Sequence, residues 1–348
     1  MKIGGVSAQP GTPTGPPTIP PPGPRPPAPG PHGPRLPEPA REALRKSARE
    51  ARKQLRPVRK HLIVLGVVIA VALVFAGLRL LGVGVGGIPV LAREACTVTS
   101  EGETYDLSSE QAERASAIAA QAVRRGLPAR AASVVLAVEL ADHSLERDPA
   151  KAAGLYDRLS GVADYRQQSV PGVAQQISDG SRDGYRDAEP EARALASALT
   201  GNTPEAFSCV VKGGAEEVPD RLSGAGLTSR AEALREDVRN VYGGLPEGGF
   251  QPGGVTTGHM VGSAHYEGRA VDYFFRPINA RNNIRGWSLA QYLVANADRL
   301  DIETVIYDDR IWTRFRSGAG WRDYEVPPRG GDQAILEHRD HVHVDVAD

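Results

Sequence analysis

The spacing of apolar and polar positions changes character four times along this chain. From residue 1 to 37 the sequence is dominated by Pro and Gly, with almost no large apolar side chains. Such a composition cannot bury a core, so 1–40 is expected to be a disordered or partly polyproline II tail. Leu62 to Leu81 is an apolar run broken only by Arg79 near its end. About 20 apolar residues suffice to cross a bilayer as a helix, and a long Arg side chain near the end can snorkel to the interface, so 62–81 predicts one transmembrane helix. Between Cys96 and Cys209 the chain is Ala-rich and helical in pattern. One helix, capped by Ser108 or Ser109, runs to Gly126; a second runs from Pro128 to about Asp142, and a third from Pro190 to Leu199. This predicts a mostly α middle domain, 96–209.

Beyond a linker at 210–226 rich in Gly, Glu and Asp, the periods mix. Leu227-Thr-Ser-Arg-Ala-Glu opens an amphipathic helix ending at Gly243, with Ala231, Leu234, Val238 and Val241 on one face. Arg269 to Phe275 reads as a short strand, Ser288 caps a helix through Leu300, and Glu303 to Trp312 reads as a further strand. His341 to Val346 alternates polar and apolar residues as a half-buried strand does. Helix, strand, helix, strand, strand predicts an α+β domain with an antiparallel sheet over 227–348. Trp287, Trp312 and Trp321 are expected in the core or at its rim.

Charge refines the picture. The 348 residues carry 41 Lys and Arg against 42 Asp and Glu, a net charge of -1, which argues against a nucleic-acid partner. The basic residues are not evenly spread: Arg41, Arg45, Lys46, Arg49, Arg52, Lys53, Arg56, Arg59 and Lys60 crowd 41–61, immediately before the apolar run. The positive-inside rule puts that flank in the cytoplasm and everything after about Val90 outside. The expectation is a single-pass membrane protein with extracytoplasmic C-terminal domains. Its only two cysteines, Cys96 and Cys209, then lie where disulfides persist and are expected to pair.

The chemistry is concentrated in the last third. His341-Val-His343 places two imidazoles on one side of an extended strand, with Val342, Val344 and Val346 on the other and Asp345 continuing the polar row. Upstream, Ser263-Ala-His265-Tyr-Glu-Gly268-Arg-Ala270-Val-Asp272 separates a histidine and a carboxylate by an odd number of positions. A turn must bring them together, and Gly268 is the natural place for it. Ala270, two residues before Asp272, leaves room for an ion. A histidine, a carboxylate and a second histidine from separate strands describe a zinc site with an open fourth position. The His-Glu-x-x-His helix of the common zinc proteases is absent.

These motifs, over roughly Gly226 to Asp348, resemble the zinc metallopeptidases that group lysostaphin, D-Ala-D-Ala carboxypeptidases, murein endopeptidases and the hedgehog signalling domain. His265-Tyr-Glu-Gly-Arg-Ala-Val-Asp272 is especially similar to the hedgehog signature. The resemblance implies that His265, Asp272 and His343 hold Zn2+ and that the substrate is the peptide part of peptidoglycan. It offers several candidates for the catalytic base: His341 first and Glu337 second, then Asp340, His338 and His259. The implied chemistry is amide hydrolysis with no covalent intermediate. An inactive zinc-stabilised wall-binding or signalling module is the second expectation, and wall tethering without a metal a third. Carboxypeptidase and endopeptidase action both stay open.

The middle segment is similar to lysozyme-like transglycosylase domains at Arg125-Gly-Leu-Pro128, Val135-Leu-Ala-Val-Glu139, Asp148 to Asp157 and Glu191 to Gly201. It departs from them where their chemistry occurs: Asp142 stands in the place of the acid glutamate, and the strand region between Arg147 and Asp148 is missing. Because glycoside cleavage needs a correctly held general acid, the segment reads as a degenerate scaffold or glycan-contacting spacer, with Glu139 and Asp142 as helix-surface carboxylates.

Overall fold

The computed structural model describes residues 94–214, 221–326 and 330–348, together with the single position Lys46. The Pro/Gly tail, the apolar run 62–81 and the rest of the basic segment lie outside the described residues. Among those described, no helix is long and apolar enough to cross a membrane. Gly82–Asp348 is one compact unit. It combines helices with two antiparallel sheets, as expected of an α+β protein.

The helical part is framed by a small sheet that the hydrophobic pattern did not announce. Strands β1 (Ala95–Ser100) and β2 (Glu103–Leu107) form a hairpin through Glu101 and Gly102, both at positive φ, and β3 (Phe207–Val210) pairs with the other edge of β1. Cys96 and Cys209 sit directly opposite each other in that ladder and form a disulfide. Helix α1 (Ser109–Arg124) begins at Ser108, whose hydroxyl accepts from Gln111 N while the Gln111 side chain accepts from Ser108 N. That reciprocal box satisfies two of the amides a helix start leaves orphaned. Helix α2 (Ala129–His143) is buried on every side from Ala131 to Glu139, the mark of a central helix. Around it lie α3 (Ala152–Ser160), α4 (Val170–Ile177) and α5 (Arg182–Leu199).

Helix α5 starts eight residues before Pro190, where the sequence placed its first turn. Ser181 caps it, and Tyr185 is buried within those extra turns. Pro190 removes a backbone bond to Arg186, but both residues are exposed, so water replaces what the proline ring denies.

The second part opens with α6 (Ser229–Tyr242), which begins within the expected Leu227–Glu232 stretch, is capped by Thr228 and ends at Gly243 as predicted. The larger sheet has the order β4-β5-β9-β6-β7-β8: β4 (Glu247–Gly248), β5 (Ala270–Phe274), β6 (Ile302–Tyr307), β7 (Arg310–Thr313), β8 (Arg322–Asp323) and β9 (His341–Val346). Glu303 to Trp312 is therefore a hairpin and not one strand. Asp308 and Asp309, both at positive φ, make its two-residue turn, for which aspartate is among the better-suited residues. Helix α7 (Ala280–Ala295) begins at Asn279, which accepts from Asn282 N, nine residues before the expected cap. Its first turn, Arg281-Asn282-Asn283, shows no apolar period, so it read as loop. Ser288 lies fully buried inside the helix and donates to Leu199 O at 2.8 Å.

That bond is one of several joining the two parts. Asn296 Nδ2 donates to Ser116 Oγ at 3.1 Å, Trp321 Nε1 to Phe207 O at 3.0 Å, and Trp312 Nε1 to Cys209 O at 3.3 Å. One hydrophobic core runs through both, from Ile118 and Val135 to Trp287, Val305 and Val344. Within the stretch 210–226, Val211 exchanges hydrogen bonds with Ser317 in both directions, and Leu227 O closes a turn onto Ser223 N.

The surface reading of Glu139 and Asp142 is corrected by this core. Glu139 is 1% exposed and grips Arg147 through both carboxylate oxygens, and Asp142 accepts from Tyr185 OH at 2.9 Å and Ser178 Oγ at 3.1 Å. Both carboxylates are absorbed in structural pairs.

Candidate metal centre

The site rests on a cross-strand pair. Asp272 of β5 lies directly opposite His343 of β9, flanked by Ala270 opposite Asp345 and Phe274 opposite His341. Directly opposed side chains share one face of a sheet, so this register sets two histidines and two carboxylates together on one side. On the other side Val271, Tyr273, Val342, Val344 and Val346 enter the core. Ala270 is the small residue that keeps the floor open.

His265 reaches the floor from a 3-10 turn, Ala264–Glu267, that ends at Gly268 with φ +70. The expected turn is there, and only glycine fits it: a Cβ would lie 2.6 Å from Gly226 O. His265 Nδ1 donates to Gly249 O at 2.7 Å, which directs Nε2 inward. Gly249, at φ +81, is tightly enclosed, since a Cβ there would come within 2.3 Å of His265 Cε1.

Three donor atoms then converge. His265 Nε2 lies 3.2 Å from Asp272 Oδ1 and 3.1 Å from His343 Nδ1, and His343 Nδ1 lies 3.1 Å from the same Asp272 oxygen. Tetrahedral zinc with bonds of about 2.0–2.1 Å separates its ligands by about 3.3 Å. The triangle is within a few tenths of one face of that tetrahedron, so the residues fit a small divalent ion. His259 stacks on the His265 ring at 3.9 Å, and His259, His265 and Asp272 also form a group whose donor atoms all lie within 4.8 Å of one another and could hold a metal ion.

The electrostatics suit a cation. Burial opposes ionisation of Asp272, but hydrogen bonds from His265 and His343 outweigh it and hold the carboxyl well below its ordinary range. Burial likewise disfavours the charged form of His343, yet hydrogen bonds to Asp272 and, at 3.3 Å, to Asp345 push it up to about 10. The proton on His343 fills the role that a metal ion would take over. Asp345 is thus the outer partner that orients a donor histidine, and its place two residues on in the same polar row was its only signal in the sequence.

The base candidates separate by position. His341 lies beside the donors, its Nε2 3.8 Å from Asp272 Oδ1, and its Nδ1 donates to Asp340 Oδ1 at 2.7 Å. Asp340 is buried behind it and takes Arg276 Nε on its other oxygen at 2.7 Å. Despite burial, those bonds hold the Asp340 carboxyl below its ordinary range. His338 lies 4.7 Å from the His341 ring; burial first, and then the neighbouring His343 and His341 rings, push it down to about 3, so it is neutral. Glu337 is directed elsewhere: it accepts from Gln333 Nε2 at 2.7 Å and pairs with Arg339 at 2.6 Å. His259, His265, Asp272, His338, His341 and His343 all line one cleft of about 400 Å³. Glu337 and Asp340 do not. Trp287, Trp312 and Trp321 also lie away from it, the first two fully buried.

Among family models, one described as the VldE C-terminal domain matches residues 223–335. The match takes in His259, His265 and Asp272 and stops before His341 and His343. No curated protein and no solved structure matches the chain.

Proposed function

We propose that the chain is a zinc-dependent peptidase acting on the peptide part of peptidoglycan, anchored by its apolar segment 62–81 with the catalytic unit outside the cell. The observation that carries this reading is the triangle of His265 Nε2, Asp272 Oδ1 and His343 Nδ1, with sides of 3.1–3.2 Å, at the floor of an open cleft. Two imidazoles and one carboxylate form the donor set of hydrolytic zinc sites, in which one position is left for chemistry. The substrate class is supported by the motif resemblance, and the location by the charge asymmetry around the apolar run.

His265, Asp272 and His343 would hold the ion. Zinc supplies Lewis acidity towards a carbonyl and makes water acidic near neutral pH. His341 is the base: Asp340 holds the proton on Nδ1 and leaves the Nε2 lone pair facing the donors, ready to accept a proton and return it to the leaving amine. Asp340, itself held by Arg276 on its other oxygen, orients His341, an arrangement of the kind that positions the histidine in serine hydrolases.

The test is digestion of purified peptidoglycan by the full chain, with and without a chelator, followed by mass spectrometry of the fragments. A chelator-sensitive peptide product, absent with Asp272→Ala, is expected. A folded protein carrying stoichiometric zinc that releases nothing would overturn the peptidase in favour of a binding module.

A further inference from the structure

Seven large apolar side chains are exposed among the described residues, and three of them, Met260, Val261 and Ile335, line the metal-capable cleft. Single exposed apolar residues are ordinary, whereas a group around a concave site marks binding. Val261 is completely exposed. The loop that carries it is nonetheless built: Ser263 N donates to Met260 O at 3.1 Å, and the Tyr266 hydroxyl both accepts from His259 N and donates to His259 O. Ile335 comes from a separate element, helix α8 (Gln333–Leu336).

The charges of the same cleft are already answered. Two arginines line it. Arg269 pairs with Asp348 at 2.5 Å and with Glu267 at 2.9 Å, and donates to Val346 O. Arg276 is neutralised by the buried Asp340. Among the described residues no lysine lines the cleft. A terminal carboxylate or a phosphate would, among the described residues, have to compete with Asp348, Glu267 and Asp340 for these arginines, and a glycan would set its hydroxyls against hydrocarbon.

We propose that the cleft takes an internal, uncharged stretch of peptide and seats an aliphatic side chain flanking the scissile amide against Met260, Val261 and Ile335, so that the enzyme is endo-acting. The inference rests on the peptidase reading and settles the bond class that reading leaves open. The reaction is ordinary hydrolysis: the amide C–N bond breaks, water gives its hydroxyl to the acyl carbon, and its proton goes to the departing amine.

The experiment uses the full chain with zinc bound and alanine-rich peptides, in L- and D-alanyl forms, that carry a central Val, Leu, Ser or Gly. Each is made acetylated and amidated, and again with a free C-terminal carboxylate. Blocked peptides are expected to be cut internally at least as fast as free acids, and aliphatic centres about tenfold or more better than serine. Met260→Ser and Val261→Ser change exposed side chains, so folding and zinc content should hold. They are expected to lower kcat/KM on the aliphatic peptides about tenfold more than on the glycine peptide. Removal of only the C-terminal residue, dependence on a free carboxylate, or indifference to both rim variants would overturn the inference while leaving a peptidase standing. No cleavage of any peptide by the zinc-loaded chain would remove both readings.

Discussion

His341 Nδ1 donates to Asp340 Oδ1 across 2.7 Å, and the opposite carboxylate oxygen is held by Arg276. The sequence offers His341 first and Glu337 second as the base, with Asp340 among the further candidates; in the structure Asp340 bonds both His341 and Arg276, and Glu337 turns towards Gln333 and Arg339. Asp340→Asn should therefore lower turnover about 10–100-fold with zinc content near normal, the usual cost of losing an outer partner. His341→Ala should lower it further, and Glu337→Gln should change little. Metal analysis beside steady-state rates for the three variants checks this order, and a Glu337→Gln loss as deep as that of His341→Ala would reverse the assignment.

Gly249 is tied to the site by its backbone alone. An added Cβ would stand 2.3 Å from His265 Cε1 and 2.9 Å from Asp272 Oδ2, on a backbone at φ +81 that costs other residues about 1–2 kcal/mol. Gly249→Ala should displace His265 and weaken metal binding at least tenfold. Zinc titration by calorimetry reads the effect, and unchanged affinity would mean that the His265–Gly249 bond does not set the ring.

Glu191 gives a pH signature away from the site. Burial raises its carboxyl above the ordinary range. A carboxyl whose pKa rises on folding costs stability once the pH exceeds its folded value, and costs none below its unfolded value. Glu191→Gln should therefore raise Tm at pH 7, with the gain shrinking as the pH falls through the folded pKa and vanishing in acid. Melting curves from pH 3 to 8 would show it, and a constant gain would point to packing instead.

The Cys96–Cys209 bond closes a loop of 113 residues around the helical part. Chain-entropy arguments give long loops a stabilisation of about 2–5 kcal/mol. Because both parts share one core, Cys96→Ser with Cys209→Ser should lower the denaturation midpoint of the whole unit and not of the helices alone. Urea unfolding followed through the buried tryptophans tests this, and two separated transitions would contradict a common core.

What could be read beforehand was what short-range rules govern. The serine pair Ser108 and Ser109 announced one helix start and Gly243 a helix end, Gly268 announced a turn by parity, and the His341 alternation announced a strand. What escaped was decided at long range. Asn279 starts a helix whose apolar face is recognisable only once Leu199 and Tyr307 lie against it, and β3 is a strand because its residues pair with those of β1 more than 100 positions away. The metal donors were legible because their residue types are rare together. Asp345, Gly249 and Arg276 were not, since an acid on a strand, a glycine in a loop and an exposed arginine are common until the fold gives them partners.

Strand β9 is bonded along both edges, to β5 and to β6, and so belongs to the braced middle of its sheet. The loop carrying Met260 and Val261 and the four residues of α8 have no such bracing. His341 and His343 are accordingly presented from the doubly bonded middle of the sheet, whereas Met260, Val261 and Ile335 stand on walls outside it. A change on the walls can therefore alter what the cleft admits without touching the strand pairing that sets Asp272 opposite His343.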